Sequence, residues 1–205
     1  RTFVTTQGAE RQITVQSLAA SNPVPGDLVC VSGYSLVGRT RDPLVEWLDT
    51  LADGVVVVLD PGATFAGLAE PLRDRVLART DVWTGNADEA AALTGVRGMR
   101  EAAEVVATLL APDAVTIVRD GARGCAVRES GRTTHCPGHP QRPVDTNGAG
   151  DTHTGVLLAE RATGASWPEA AARANTAGAI KVTRRGPDTA PTRAEIDAFL
   201  AALPR

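Results

Sequence analysis

Short apolar runs alternate with longer amphipathic segments along most of the chain. Three mainly apolar runs predict buried strands, at residues 27–32, 55–59 and 114–118, and a short strand is predicted at 81–83. Segments with apolar residues at helical spacing separate these runs and predict helices at 41–52, 69–79, 87–93 and 101–110. In the first of these helices Leu44, Val45, Leu48 and Leu51 form one apolar face.

Two short strands, one hairpin and three helices complete the prediction. The short strands are 1–6 and 12–15, the hairpin strands are 125–128 and 133–136, and the helices are about 149–162, 168–182 and 193–202. Strands that alternate with helices predict a largely parallel sheet between two layers of helices, so the fold class is α/β. Ligands of such sheets bind outside the carboxyl ends of the strands. With no internal repeat or low-complexity linker, we predict a single domain over residues 1–205.

Composition and charge exclude several classes of partner. The net charge is −3 and aromatic residues make up only 3% of the chain, which gives neither the basic face nor the stacking platform of a nucleic-acid-binding protein. No apolar run reaches the length of a membrane span, and no secretory signal pattern begins the sequence. The three cysteines form no CxxC motif and predict free thiols in a reducing compartment. We therefore expect a cytoplasmic protein without nucleic-acid or membrane partners.

One glycine-rich stretch, Val144–Gly155, carries the strongest chemical signal. It follows an extended segment and begins a predicted helix, and the small residues Gly148, Ala149 and Gly150 let a ligand approach the backbone closely. The free N–H groups and the dipole of the first helical turn favour an anion such as a transferring phosphoryl group. Asp151 lies in that turn, where an ionised carboxylate can accept a proton from an attacking alcohol. The simpler alternative is that Asp151 only caps the helix.

Two other phosphate motifs fit this stretch poorly. A dinucleotide-binding GxGxxG motif would need a third glycine where His153 stands. A Walker A loop requires a lysine followed by Ser or Thr, and the only lysine in the sequence, Lys181, is followed by valine.

The pattern Asp-Thr-x-Gly-Ala-Gly-Asp-Thr-x-x-Gly at 145–155 resembles the C-terminal signature of the PfkB carbohydrate kinase family. The resemblance implies a ribokinase-like three-layer α/β/α sandwich. It also implies that Asp151 is the catalytic base and that the backbone at Gly148, Ala149 and Gly150 forms the anion hole. His153 stands where the family often has Phe, so we expect it to pack rather than to react.

A second segment, Asn86-Ala87-Asp88-Glu89, is similar to the family's N-x-x-E motif. The resemblance implies that Glu89 holds Mg²⁺ through a water molecule and that Asn86 caps the helix while facing the nucleotide phosphates. Without the resemblance, Asn86 would be an ordinary cap and Glu89 a solvated acid. Asp60 directly follows the predicted strand 55–59. At this position the family often has an acid or amide near phosphate and magnesium.

The segment from Arg119 to Gly124 resembles the family's Gly-x-x-Gly turn before the hairpin that shields the nucleotide. The resemblance implies nucleotide contacts from Arg119, Gly121 and Gly124, although the family often has a small or hydroxyl residue at the first of these positions. Asn175 falls where the family places a residue close to adenine.

The closing segment 179–187 is similar to the part of the family that holds a monovalent cation in many members. The resemblance implies a K⁺ site made of backbone carbonyls, to which it assigns Asp145, Asn147, Lys181, Arg184 and Gly186. The Lys181 side chain is expected to point to solvent as readily as to a functional group.

Family members are about half as long again as this chain. The motifs that the resemblance assigns to their N-terminal part, including the glycines that grip the sugar and the lid strands, do not occur in residues 1–205. We therefore expect a chain without the N-terminal sugar-binding part of the fold, which either associates with that part or self-associates to cover apolar surface.

Three functions remain after this comparison of motifs. The first is ATP-dependent phosphorylation of a hydroxyl on a sugar or sugar-like substrate, with ATP and Mg²⁺ as cofactors. The second keeps the reaction but replaces the substrate by a nucleoside or another small alcohol. The third is a non-catalytic nucleotide-binding fragment or pseudokinase.

Overall fold

A computed structural model describes residues 8–203 as eight α-helices and one six-stranded sheet. The strands are β1 Leu28–Ser32, β2 Val56–Asp60, β3 Val82–Asn86, β4 Val115–Arg119, β5 Cys125–Glu129 and β6 Arg132–Cys136. They are ordered in the sheet as along the chain; β1 to β4 are parallel, and β5 and β6 are antiparallel to their neighbours. The helices are α1 Val15–Ala19, α2 Arg41–Asp49, α3 Glu70–Ala78, α4 Ala87–Thr94, α5 Met99–Ala107, α6 Ala149–Ala162, α7 Trp167–Lys181 and α8 Arg193–Ala201.

Helices cover both faces of the sheet and make a three-layer sandwich. Side chains alternate along each strand, so that Val57 and Leu59 of β2 pack in the cluster formed with α2 to α5, whereas Val58 joins the cluster formed with α6 and α7. Helix α8 packs on α7 through Ile196 and Ile180. Burial on both faces explains why the strands are nearly continuous apolar runs. The predicted ribokinase-like α/β class is confirmed by this architecture.

The strand register places polar side chains in one row at the carboxyl edge of the parallel strands. Ser32 at the end of β1 is paired with Asp60 at the end of β2, and Asn86 at the end of β3 is paired with Arg119 at the end of β4. Since a functional site of a parallel sheet lies beyond these ends, the register itself brings the candidate residues together.

One predicted strand is wrong. Residues 12–14 belong to no strand, and Val15 begins helix α1. A capping box explains the difference, because the Thr14 side chain accepts a hydrogen bond from the Ser17 N–H while the Ser17 hydroxyl accepts one from the Thr14 N–H. The alternation of Gln12, Ile13 and Thr14 imitated a strand, but this local cap favours a helix. The other predicted short strand, at 1–6, lies outside the described residues.

Strand β1 forms one edge of the sheet. An open groove of about 540 Å³ runs beside it and is lined by apolar side chains of β1 and α2 such as Val29, Leu44 and Trp47. None of the helices within residues 8–203 is long and apolar enough to cross a bilayer.

Candidate active site

A cavity of about 470 Å³ opens at the carboxyl edge of the sheet, a size typical of small-molecule sites. Ten residues singled out from the sequence line it: Asp60, Asn86, Glu89, Arg119, Gly121, Gly124, Ala149, Gly150, Asp151 and Asn175. They come from the ends of β2, β3 and β4, from the turn after β4, from the starts of α4 and α6, and from the middle of α7. Segments separated by more than a hundred residues in sequence therefore converge on one site.

The glycine loop begins α6, and the Ala149 N–H donates to the Thr146 carbonyl at 3.3 Å. Gly148 is the N-cap, has φ 77° and offers no side-chain cap, and a Cβ at this position would lie 3.1 Å from the Pro187 carbonyl oxygen. Both conditions require glycine. Among the described residues, no acceptor bonds the N–H groups of Gly150 and Asp151. These donors and the positive end of the helix dipole can therefore receive an anion in the cavity.

Asp151 is exposed in the first turn of α6 and lines the cavity. No described residue donates a hydrogen bond to its carboxylate, and the N-cap position belongs to Gly148. Asp151 therefore does not cap the helix through its side chain. Its carboxylate is available to a ligand in the same cavity that the free N–H groups of the loop face.

Arg119 connects the glycine loop with the ends of the strands. It is 8% exposed, and its Nη1 donates hydrogen bonds to the Gly150 carbonyl at 2.8 Å and to the Thr154 hydroxyl at 3.3 Å. Its Nη2 lies 3.5 Å from Asp60 Oδ2 and 3.9 Å from Glu89 Oε2. The nucleotide contact of Arg119 stays a prediction. The structure places its guanidinium between two carboxylates and behind the anion loop.

The two acids near Arg119 are held by further bonds. Thr154 donates a hydrogen bond of 2.8 Å to Asp60 Oδ2, so α6 and the end of β2 are joined directly as well as through Arg119. Burial raises the pKa of Glu89, while the Asn86 N–H and the Arg119 charge partly oppose this shift. The carboxylates of Asp60 and Glu89 therefore both lie close to the Arg119 guanidinium.

A capping box begins α4 and orients Asn86 and Glu89. Asn86 Oδ1 accepts a hydrogen bond from the Glu89 N–H at 2.9 Å, and Glu89 Oε2 accepts one from the Asn86 N–H at 2.8 Å. The predicted cap is therefore present. Glu89 Oε2 is occupied by this bond, whereas among the described residues nothing donates to Oε1, which remains available to a water molecule or ion.

The turn after β4 forms the wall of the cavity opposite α6. Gly121 has φ 53°, and a Cβ placed there would meet no atom within 4 Å, so the cavity side of this residue is open. Gly124 has φ 89°, and a Cβ there would overlap the Cys136 carbonyl and the backbone of Gly138. Gly124 is thus required for close packing of the β5–β6 hairpin, although it also lines the cavity.

Asn175 and His153 form a nearly buried pair in the wall of the cavity. The Asn175 side-chain amide donates to the carbonyls of Cys136 and Pro137 at 3.0 and 3.2 Å, and its Oδ1 lies 3.1 Å from His153 Nε2. Burial lowers the pKa of His153 to about 3, with a smaller contribution from Arg119. His153 is therefore neutral at ordinary pH, which agrees with its expected packing role.

The residues assigned to a monovalent cation lie behind the loop and do not line the cavity. Asp145 Oδ1 accepts from the Asn147 N–H and Asp145 Oδ2 accepts from the Gly186 N–H, which ties the two backbone segments together. The Arg184 side chain is paired with Glu195 of α8. Lys181 is fully buried, contrary to the expectation that its side chain would point to solvent as readily as to a functional group.

Three further side chains of this region were missed by sequence reasoning. Tyr34 and His139 line the cavity, and the Tyr34 ring packs against Gly62. Thr154 bonds both Asp60 and Arg119. Tyr34 could have been found from its place two residues after the end of β1, because the residues beyond parallel strands face the ligand site. The hydroxyl of Thr154 gives no comparable signal.

Comparison with known proteins gives a consistent answer. The family model for the pfkB family of carbohydrate kinases matches residues 1–193. An uncharacterized sugar kinase of Escherichia coli K12, YegV, is 33% identical over 202 residues, which are 96% of this chain and 61% of the relative. The chain thus spans less than two thirds of that relative's length.

Two solved structures are similar to this chain over most of its length. The aminoimidazole riboside kinase of Salmonella enterica, complexed with its riboside and an ATP analogue, is 25% identical with a TM-score of 0.81, over 98% of this chain and 71% of that one. A fructokinase double mutant of Vibrio cholerae O395 with bound fructose, ADP and potassium ion is 26% identical with a TM-score of 0.74, over 85% of this chain and 60% of that one. The chain belongs to the pfkB family of carbohydrate kinases.

Proposed function

We propose that the protein transfers the terminal phosphoryl group of ATP to a hydroxyl of a sugar or sugar-like substrate. One observation carries this proposal: the unbonded N–H groups of Gly150 and Asp151 and the Asp151 carboxylate open onto the same cavity. An anion hole beside an exposed carboxylate suits a reaction in which an alcohol loses its proton while it attacks phosphorus.

Asp151 acts as the general base. Its carboxylate accepts the proton of the acceptor hydroxyl as the hydroxyl oxygen forms its bond to phosphorus and the bond to the departing diphosphate breaks. The N–H groups of Gly150 and Asp151 hold the equatorial oxygens of the transferred group, where negative charge is concentrated. ATP with Mg²⁺, when bound, supplies the phosphoryl group and partial neutralisation of its charge.

Glu89 is the side chain best suited to magnesium, through a bound water on Oε1. Among residues 8–203 no cluster of three or more His, Cys, Asp or Glu side chains could hold a metal by itself. Mg²⁺ usually takes one or two carboxylates and completes its octahedron with waters and substrate phosphates, so Glu89 with Asp60 nearby is a sufficient donor set. Arg119 adds a fixed positive charge between these two acids.

The nucleotide is proposed to lie along the turn after β4 and the β5–β6 hairpin. Gly121 leaves room for the nucleotide to approach the backbone, and Asn86 faces the phosphates from the start of α4. Asn175 contributes mainly by holding the hairpin, since its amide already bonds Cys136 and Pro137. Arg119 acts beside the phosphates of the nucleotide rather than beside its adenine base.

A nucleoside or another small alcohol is the second candidate substrate. The similarity to the aminoimidazole riboside kinase, which binds a nucleoside-like riboside, favours it. A non-catalytic nucleotide-binding fragment or pseudokinase is the third candidate. The intact Asp151 loop supports an active enzyme over this third function.

Transfer of labelled phosphate tests the proposal. The full-length gene product that contains this chain is incubated with [γ-³²P]ATP, Mg²⁺ and a panel of hexoses, pentoses, nucleosides and polyols, and labelled products are separated from ATP. We expect ATP-dependent labelling of at least one sugar-like alcohol. Binding of ATP with no labelled product across the panel would favour the non-catalytic function.

Association through the β1 edge and a cytoplasmic location stay predictions. The groove beside β1 presents apolar side chains at an edge strand whose outer side has no strand partner among residues 8–203, and a further strand or a second copy would cover such a surface. The thiols of Cys30, Cys125 and Cys136 are free, which supports a reducing compartment. Size-exclusion chromatography with light scattering tests the first prediction, and a well-behaved monomer with no second polypeptide contradicts it.

A further inference from the structure

Two backbone segments close around the end of α7, directly behind the glycine loop. The N–H groups of Val144 and Asp145 both donate to the Val182 carbonyl, at 2.7 and 3.1 Å. The Asp145 carboxylate accepts from the Gly186 N–H at 3.1 Å. These bonds hold segments 144–147 and 182–187 side by side.

The side chain of Lys181 lies beside the first of these segments. Lys181 is 0% exposed, and its Nζ donates a hydrogen bond of 3.4 Å to the backbone carbonyl of Asp145. Its Cε would lie 3.6 Å from a Cβ placed on Gly148, so the aliphatic stem passes directly under the N-cap of α6. The lysine thus reaches from the end of α7 to the base of the anion loop.

A buried ammonium group is stabilised only where oxygen atoms replace its hydration. Main-chain carbonyls serve a potassium ion in the same way, because their oxygens take the place of the ion's water shell. An ammonium group and K⁺ are both monovalent and need similar surroundings. Two monovalent cations held by the one Asp145 carbonyl would lie close enough to repel each other strongly in this buried position.

The monovalent-cation site implied by the family therefore does not fit this chain. Asp145 is one of the residues to which that site was assigned, and its carbonyl is already bonded by Lys181. We infer that the Lys181 ammonium takes the place of the monovalent cation, so that this protein carries a covalently attached positive charge behind its anion loop and needs no K⁺. The inference concerns the loop behind the cavity. Only the expected effect of Lys181 on turnover rests on the proposed function.

Ion-dependent stability tests this inference without an activity assay. Thermal unfolding of the full-length gene product is followed in KCl and in tetramethylammonium chloride at equal ionic strength, for the natural protein, Lys181→Ala and Lys181→Met. The alanine variant leaves room for an ion, whereas the methionine variant fills the space with an uncharged stem. We expect equal Tm values for the natural protein in the two salts.

For Lys181→Ala we expect a lower Tm in tetramethylammonium and a saturable rise of about 3–6 °C at a potassium concentration about ten times its Kd. Lys181→Met should show no such rise. A saturable K⁺-dependent Tm increase in the natural protein would overturn the inference, and so would a folded alanine variant that responds to K⁺ no more than the natural protein does.

Equilibrium dialysis with ⁸⁶Rb⁺ decides the matter if the alanine variant does not fold. The inference predicts no saturable binding of Rb⁺ to the natural protein, and one bound equivalent would contradict it. Turnover provides a separate readout, since potassium-independent phosphoryl transfer is expected of the natural protein. A protein that binds no Rb⁺ and transfers no phosphate would contradict the proposed function while leaving this inference in place.

Discussion

Arg119 Nη1 donates a hydrogen bond of 2.8 Å to the backbone carbonyl of Gly150, and this bond joins the carboxyl end of β4 to the first turn of α6. The same guanidinium lies within 3.9 Å of Glu89 and 3.5 Å of Asp60. One buried cation therefore orients the peptide that precedes Asp151 and also balances the two acids proposed to serve magnesium.

Replacement of Arg119 should reduce both stability and turnover. Arg119→Met removes a buried charge from two carboxylates, which costs about 3 kcal/mol of unfolding free energy. It also frees the Gly150 carbonyl. If Arg119 positions the loop, kcat should fall about 10–100-fold, and this change should be larger than the rise in KM for ATP. Urea unfolding and steady-state kinetics measure the two effects.

Arg123→Met is the matched control for this substitution. Arg123 lies in the same turn and pairs with Asp120, but its side chain is 74% exposed, so its loss should cost less than about 1 kcal/mol. Equal effects of the two substitutions would show that the buried position of Arg119 has no special role.

Glu89→Gln should weaken the use of magnesium while it keeps helix α4 intact. A glutamine at this position preserves the capping box with Asn86, because its side-chain oxygen can still accept from that N–H. Loss of the charge should raise the Mg²⁺ concentration required for half-maximal turnover about tenfold. Asp88→Asn, a substitution of the exposed neighbouring acid, should leave the Mg²⁺ dependence unchanged. An unchanged Mg²⁺ dependence in Glu89→Gln would exclude Glu89 from the metal site.

His153 should make the protein sensitive to acid. Its pKa is about 3 in the folded state, below the usual value of about 6.5, so below neutral pH the unfolded chain binds more protons than the folded one. Its contribution to stability is present above the unfolded pKa and is lost as the pH falls, by about 2 kcal/mol between about pH 7.5 and about pH 5. Urea unfolding at a series of pH values measures this loss.

His153→Phe should flatten this part of the pH profile, because the phenyl ring binds no proton. Substitution of the exposed His135 by Gln serves as the control and should not change the slope. A profile for His153→Phe with the slope of the natural protein would show that His153 is not the residue responsible.

Local patterns predicted those parts of the site that depend on neighbouring residues in sequence. The cap formed by Asn86 and Glu89 and the glycine loop before Asp151 each lie within one short segment, so a local pattern together with the resemblance to the family revealed them. The α/β class followed from apolar runs that strands buried on both faces require. The strand predicted at 12–15 was wrong because a capping box outweighed a short alternating pattern.

Long-range contacts account for what the sequence could not predict. The partners of Arg119 come from four segments, β2, β3, α4 and α6, and only the assembled sheet places them around one guanidinium. The burial of Lys181 likewise depends on a loop about thirty-five residues earlier in the chain, which closes over the end of α7. A lysine near the end of a helix otherwise suggests an exposed side chain.

Asp151→Asn is the most direct test of the central claim, because it removes the proposed base and preserves the shape of the side chain. Turnover of the identified substrate and binding of ATP by calorimetry are measured on the same preparation of the full-length gene product. We predict that kcat falls by about 10²–10⁴-fold while the Kd for ATP changes by less than about threefold. Turnover within a few-fold of the natural protein, with ATP bound normally, would contradict the assignment of Asp151 as the catalytic base.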